Sequence, residues 1–152
     1  MPGFLLLVGG ALGTITIKEY QAIPRLPKWN MQVLRAAFWA AKACRETRKA
    51  LPISGVNTEV RVPASLPTGS RRGVDAVLRR LSPTCLERSR VKQRWLASHG
   101  VDAEVIIGVR RKGSDFTAHA WLDHETNKTL LAQYSIIHRL PAPLPSEYST
   151  WR

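Results

Sequence analysis

Between Pro83 and Gly100 the chain reads as one helix, and beyond Gly100 its apolar pattern changes to strand-like alternation. That change of period constrains the fold more than any other feature. Pro83-Thr84 is a helix-opening context, the helix runs from Cys85 to His99, and Gly100 is a good left-handed terminator. Three strand-like runs follow, 103–111, 115–123 and 129–137. Lys112-Gly113-Ser114 reads as the loop of a first hairpin, and Glu125-Thr126-Asn127 as the three-residue loop of a second, with Asn127 in the left-handed position. A helix followed by an antiparallel meander is an α+β arrangement.

The earlier chain is less regular. Residues 4–17 are apolar apart from Thr14 and Thr16 but contain Gly9, Gly10 and Gly13. The stretch is shorter than the roughly 20 apolar residues of a membrane span, and Met1-Pro2-Gly3 lacks the positive charge that opens a secretory signal. It reads as short strands or a buried arm, with loose membrane contact as the sharper alternative. Asn30 can cap a helix from Met31 to Leu51, stopped by Pro52. Its apolar stripe is Val33, Leu34, Ala37, Phe38, Ala41 and Leu51, and its other side is basic. Residues 52–72 read as a connection with one strand at 59–62. Val74, Val77, Leu78 and Leu81 mark a short amphipathic helix before Pro83. After Arg139, the prolines at 141, 143 and 145 predict an extended tail. The expected organisation is an N-terminal arm, basic helix and connection over 1–72, a core over 73–140 and a tail over 141–152.

Composition narrows the setting. The 152 residues suit a single domain, and a hydrophobic content of 44% is that of a globular chain. Two cysteines, Cys44 and Cys85, make no disulfide framework, which predicts a reducing, cytoplasmic compartment. Lys and Arg number 23 against 11 Asp and Glu, a net charge of +12 that favours an anionic partner or simply a basic enzyme. Nucleic acid is the disfavoured partner. Aromatic residues are few beside Arg71-Arg72 and Arg110-Arg111-Lys112, and there is no recognition-helix pattern.

The chemistry concentrates on Cys85 and His119. A thiol attacks as thiolate, and a helix N-terminus and a neighbouring imidazolium both favour that form. Cys85 opens its helix, and His119 lies on a strand about thirty residues later. Alternation puts Thr117, His119, Trp121 and Asp123 on one face, and packing that face against the helix start would bring the two groups together. Asp115 and Asp123 lie four residues from His119, about 13 Å along a strand, too far to orient its ring. If residues 125–127 form the loop, His124 pairs with Lys128, Trp121 with Leu131 and His119 with Gln133. Gln133 is then the third member, and a slip of register would present Ala132 or Tyr134. Cys44 has no histidine near it and reads as a packing residue. There is no metal-ligand spacing, phosphate loop or serine elbow, so no cofactor is expected.

Several segments taken together are similar to a family. These are Pro83-Thr84-Cys85-Leu86-Glu87-Arg88-Ser89, Gly100-Val101, Val105-Ile106-Ile107-Gly108-Val109-Arg110, and Phe116-Thr117-Ala118-His119-Ala120-Trp121-Leu122-Asp123. The chain resembles the transglutaminase-like leader peptidases of lasso-peptide biosynthesis, the stand-alone B-type protease, over residues 73–138. The resemblance implies a papain-like core with a nucleophile helix packed on an antiparallel sheet. It also implies a Cys-His-Asp triad that removes the leader from a ribosomally made precursor, with Cys85 as nucleophile and His119 as general base. The family's Asp would fall near Gln133, and Lys92 stands where the family has an apolar residue. The implied partners are the precursor leader peptide, a separate leader-recognition protein and an ATP-dependent macrolactam cyclase. A catalytically weak, peptide-binding scaffold subunit is the competing expectation.

Overall fold

The computed structural model describes residues 14–125 and 127–143. Residues 4–13 of the apolar stretch, Thr126 of the expected second loop, and the tail from 144 with Pro145 lie outside the described residues. Among the described residues no helix is long and apolar enough to cross a membrane.

The elements are α1 (Ile17–Ala22), α2 (Met31–Ser54), α3 (Arg71–Leu81), α4 (Cys85–Ala97), β1 (Val105–Lys112), β2 (Asp115–Leu122), α5 (Lys128–Leu131) and β3 (Ser135–Leu140). Helices packed on a three-stranded antiparallel sheet make this an α+β fold. The core lies between them. Ala36, Ala40 and Ala43 of α2, Val74 and Leu78 of α3, and Val91, Trp95 and Leu96 of α4 meet Val105, Ala120, Leu122 and Leu140 from the sheet.

Helix α2 begins where expected, with the Asn30 side chain accepting from the Gln32 amide at 2.8 Å. It does not stop at Pro52. The helix continues to Ser54 and ends at Gly55, whose φ of +59° suits a residue without a Cβ. Pro52 sits in the last turn, so its missing N–H interrupts the ladder at the end and not in the middle. The buried stripe also differs from the expected one. Val33, Ala36, Ala40, Ala43, Cys44 and Thr47 face inward, whereas Leu34 and Phe38 are exposed. Small residues win because α3 comes very close: a Cβ on Gly73 would collide with the Val33 carbonyl and the Ala37 amide nitrogen. Bulky side chains on that face would hold the two helices apart.

The strand expected at 59–62 does not form. The carbonyls of this segment are instead bound by side chains: Thr58 by Arg90, Val60 by Arg94, and Arg61 by Trp39 Nε1 at 3.2 Å. Arg90 and Arg94 of α4 and Trp39 of α2 thus anchor the connection to the helices without a sheet partner.

Strands β1 and β2 form the expected hairpin, Lys112 pairing with Asp115 and Gly113 taking a φ of +62°. The third run departs from expectation. Residues 129–137 are not one strand: Asn127 caps a helical turn, accepting from the Leu130 amide at 3.3 Å, and the strand starts at Ser135. The turn carries the chain past the hairpin, and β3 pairs with β1 in the order β2-β1-β3. The second hairpin between β2 and the third strand is therefore absent, and with it the pairs His124–Lys128, Trp121–Leu131 and His119–Gln133.

Candidate active site

Cys85 is the first residue of α4 and is half-buried against the core. A reciprocal cap fixes this end of the helix. The Thr84 hydroxyl accepts from the Glu87 amide at 3.3 Å, and the Glu87 carboxylate accepts from the Thr84 amide at 3.0 Å. Glu87 is buried and is also held by Arg48 of α2, which donates to both carboxylate oxygens at 3.2 and 3.1 Å. That charge-assisted hydrogen bond, reinforced by the attraction of the carboxylate, raises the Arg48 pKa. Among the described residues the backbone N–H groups of Cys85 and Leu86 have no acceptor. They are the open donors that a helix start leaves free.

Two contacts set how α4 runs against the sheet. The Ser89 hydroxyl donates to the Ala120 carbonyl at 3.2 Å, and Lys92 pairs with Glu125 at 3.5 Å. Helix and strand therefore run in the same direction along the free edge of β2. Cys85 precedes Ser89 by four helical residues, about 6 Å. About two strand residues span that distance, so Cys85 lies level with Ala118 and His119. Lys92 ties α4 to Glu125 in the turn that follows β2.

His119 does not lie on the face that packs against α4. Ala120 and Leu122 belong to the core, so alternation turns His119 and Trp121 to the opposite face of the sheet. The face expected to meet the helix start is thus the outer one, and it is the small, buried Ala120 that meets α4, its carbonyl bound by Ser89. On its own face the His119 ring is stacked on Trp121, centroids 5.8 Å apart, and packs on Tyr134 at 5.6 Å. Gly108 lies opposite His119 on β1. A Cβ there would strike the Trp121 ring and crowd Tyr134, so this position leaves room for the aromatic group.

Gln133 is exposed, and its side-chain oxygen accepts from Arg110 Nη1 at 2.9 Å. The register that put it opposite His119 is not formed, because β3 lies beyond β1. Tyr134, with the Arg110 guanidinium 5.2 Å from its ring centre, is the neighbour that meets the histidine. Tyr134 was one of the two residues that a slip of register would present, but it reaches the ring from the turn after α5 and not across a second hairpin. Among the described residues, neither the Cys85 thiol nor the His119 ring makes a side-chain hydrogen bond, and no His, Cys, Asp or Glu group is arranged to hold a metal ion. Cys44 is buried in the core, and burial, followed by the nearby Glu87 charge, raises its pKa.

No curated protein and no solved structure matches the chain. A family profile, that of the Transglutaminase-like superfamily, matches residues 29–132, a span that runs from the start of α2 through α4, the β1–β2 hairpin and α5. With more than half of the sequence matched, the chain belongs to the transglutaminase-like superfamily.

Proposed function

We propose that this protein is a cysteine peptidase that works through a Cys85 acyl-enzyme and cuts the leader from a ribosomally synthesised lasso-type precursor peptide. The observation that carries the catalytic part is the position of Cys85, first in a doubly capped helix and level with His119 along β2. His119 takes the thiol proton, and sulfur adds to the scissile carbonyl. The C–N bond then breaks as His119 returns the proton to the leaving amine. Water next attacks the thioester and gives a proton to His119, and the C–S bond breaks as that proton passes to sulfur, releasing the peptide acid and restoring the thiol. The N–H groups of Cys85 and Leu86 are the donors available to the oxyanion. The motif order from Pro83 to Asp123 supports the narrower substrate, with a separate leader-recognition protein and an ATP-dependent cyclase acting beside this one.

Replacing Cys85 with Ala removes the nucleophile and leaves the packing of α4 nearly intact. Cleavage of a precursor peptide supplied with its recognition protein is expected to vanish in the Cys85→Ala protein, while circular dichroism is unchanged. Wild-type cleavage by that variant would sink the proposal. A second reading, a catalytically weak peptide-binding subunit, is favoured by the absence of a hydrogen bond to either Cys85 or His119 among the described residues. It calls for a thiol at Cys85 that stays unlabelled by a small electrophile at neutral pH. A gene neighbourhood with a short precursor frame and a cyclase separates leader removal from other peptide hydrolysis.

A further inference from the structure

The hydrogen-bonding pattern of β2 leaves part of its outer edge unused. In an antiparallel ladder alternate residues point their N–H and C=O groups toward the partner strand, and those between point away. The Ala120 carbonyl accepts from Ser89 and so points away from β1. Ala118 and Phe116 therefore point the same way, which agrees with Lys112 and Asp115 closing the hairpin as a bonded pair. Among the described residues no donor or acceptor meets the N–H and C=O groups of Phe116 and Ala118, or the N–H of Ala120. The open edge begins at the hairpin tip and ends where Ser89 of α4 closes it at Ala120, about one helical turn after Cys85. Phe116, 69% exposed, adds an apolar side chain on the face turned toward α4.

We propose that this edge binds an extended peptide segment as an added strand, through Phe116 and Ala118, and delivers its backbone to Cys85. The proposal deepens the peptidase reading and rests on it for the fate of the bound peptide. Three observations favour a peptide over a second copy of the chain. The open stretch is short, and Ser89 blocks its continuation at Ala120. It also runs directly into the proposed site, and two copies each carrying +12 repel one another. Main-chain pairing supplies the affinity and alternate side chains the selectivity, one set facing Phe116 and the other facing the His119, Trp121 and Tyr134 rings.

The test uses a library of capped tetrapeptide vinyl sulfones of all side chains, with methyl vinyl sulfone as the small reference. Alkylation of Cys85 is followed by mass spectrometry. The best peptide is expected to react faster than the reference. Backbone N-methylation should slow it about tenfold at alternate amides and leave the intervening amides unaffected. Phe116→Pro removes one outward N–H and should slow the peptide but not methyl vinyl sulfone. A flat or non-alternating N-methyl profile on the wild-type protein overturns the proposal, as does a library in which no peptide outpaces the reference. A concentration-dependent dimer that Phe116→Pro abolishes, without any peptide preference, assigns the edge to a second copy and also overturns it. If neither reagent labels Cys85, the peptidase reading fails alone. The edge is then read in the Cys85→Ala protein from the anisotropy of fluorescein-tagged tetrapeptides and their N-methyl series, and a library without a binder overturns it.

Discussion

Tyr134 and Gln133 are neighbours in sequence with different surroundings. Tyr134 packs on the His119 ring, while the amide of Gln133 is engaged by Arg110 in an exposed turn. If ring packing holds His119, Tyr134→Ala should lower kcat about tenfold or more while Gln133→Ala stays within about twofold of wild type. The reverse order, measured on the same peptide, returns the orienting role to Gln133. Tyr20 shows a second kind of residue effect. Its hydroxyl accepts from Trp95 Nε1 at 2.8 Å inside the core, and burial pushes its pKa up to about 12 from 10.0, against the lowering effect of that bond. Between pH 10 and about 12 the unfolded phenol ionises while the folded one stays neutral. Stability therefore falls as pH rises through that window, by about 2–3 kcal/mol in all. Denaturant titrations across it should show a shallower decline for Tyr20→Phe than for wild type. Cys85 was legible as a helix start from Pro83-Thr84 alone, because that chemistry is local. The neighbour of His119 was legible only as one of Gln133, Ala132 and Tyr134, because the choice depends on which strand comes to lie beside which.

At the scale of elements, α4 is set from both ends by short-range chemistry, and its start carries the thiol. Thr84→Ala removes the hydroxyl acceptor of the cap and should cost about 1 kcal/mol in urea unfolding. The same change should slow alkylation of Cys85 by methyl vinyl sulfone, since a frayed first turn no longer aligns its N–H groups. An unchanged rate beside a lowered midpoint would separate the cap from the reactivity of the thiol. The β1–β2 hairpin was legible because Gly113 sits between two alternating runs. The third strand was misplaced because Thr129, Leu130 and Leu131 are apolar or β-compatible yet follow Asn127, a residue suited both to a loop and to a helix cap. The cap won. It moved the start of β3 to Ser135 and sent the strand to the far side of β1.

For the whole molecule, α2 and α3 approach closely at Gly73, where a Cβ would meet the backbone of Val33 and Ala37. Gly73→Ala must part these helices, and the cost should be about 3 kcal/mol or more, read as a lowered unfolding midpoint. A near-neutral effect would mean that α3 can slide without loss. Through α2, that contact also bears on Arg48 and hence on Glu87 and the start of α4. The sequence by itself determined the α+β class, the helix that begins at Cys85 and the strand that holds His119. Each of these depends on the period, caps and turn residues of neighbours in the chain. Only the tertiary structure decided which face of α2 is buried, which face of β2 meets α4, and that β3 lies beside β1. Those outcomes turn on how closely backbones can approach, at Gly73 and Ala120, and on where the chain crosses after Asn127. Apolar periodicity marks a face as fit for burial, but the neighbour that buries it is chosen by packing over the whole fold.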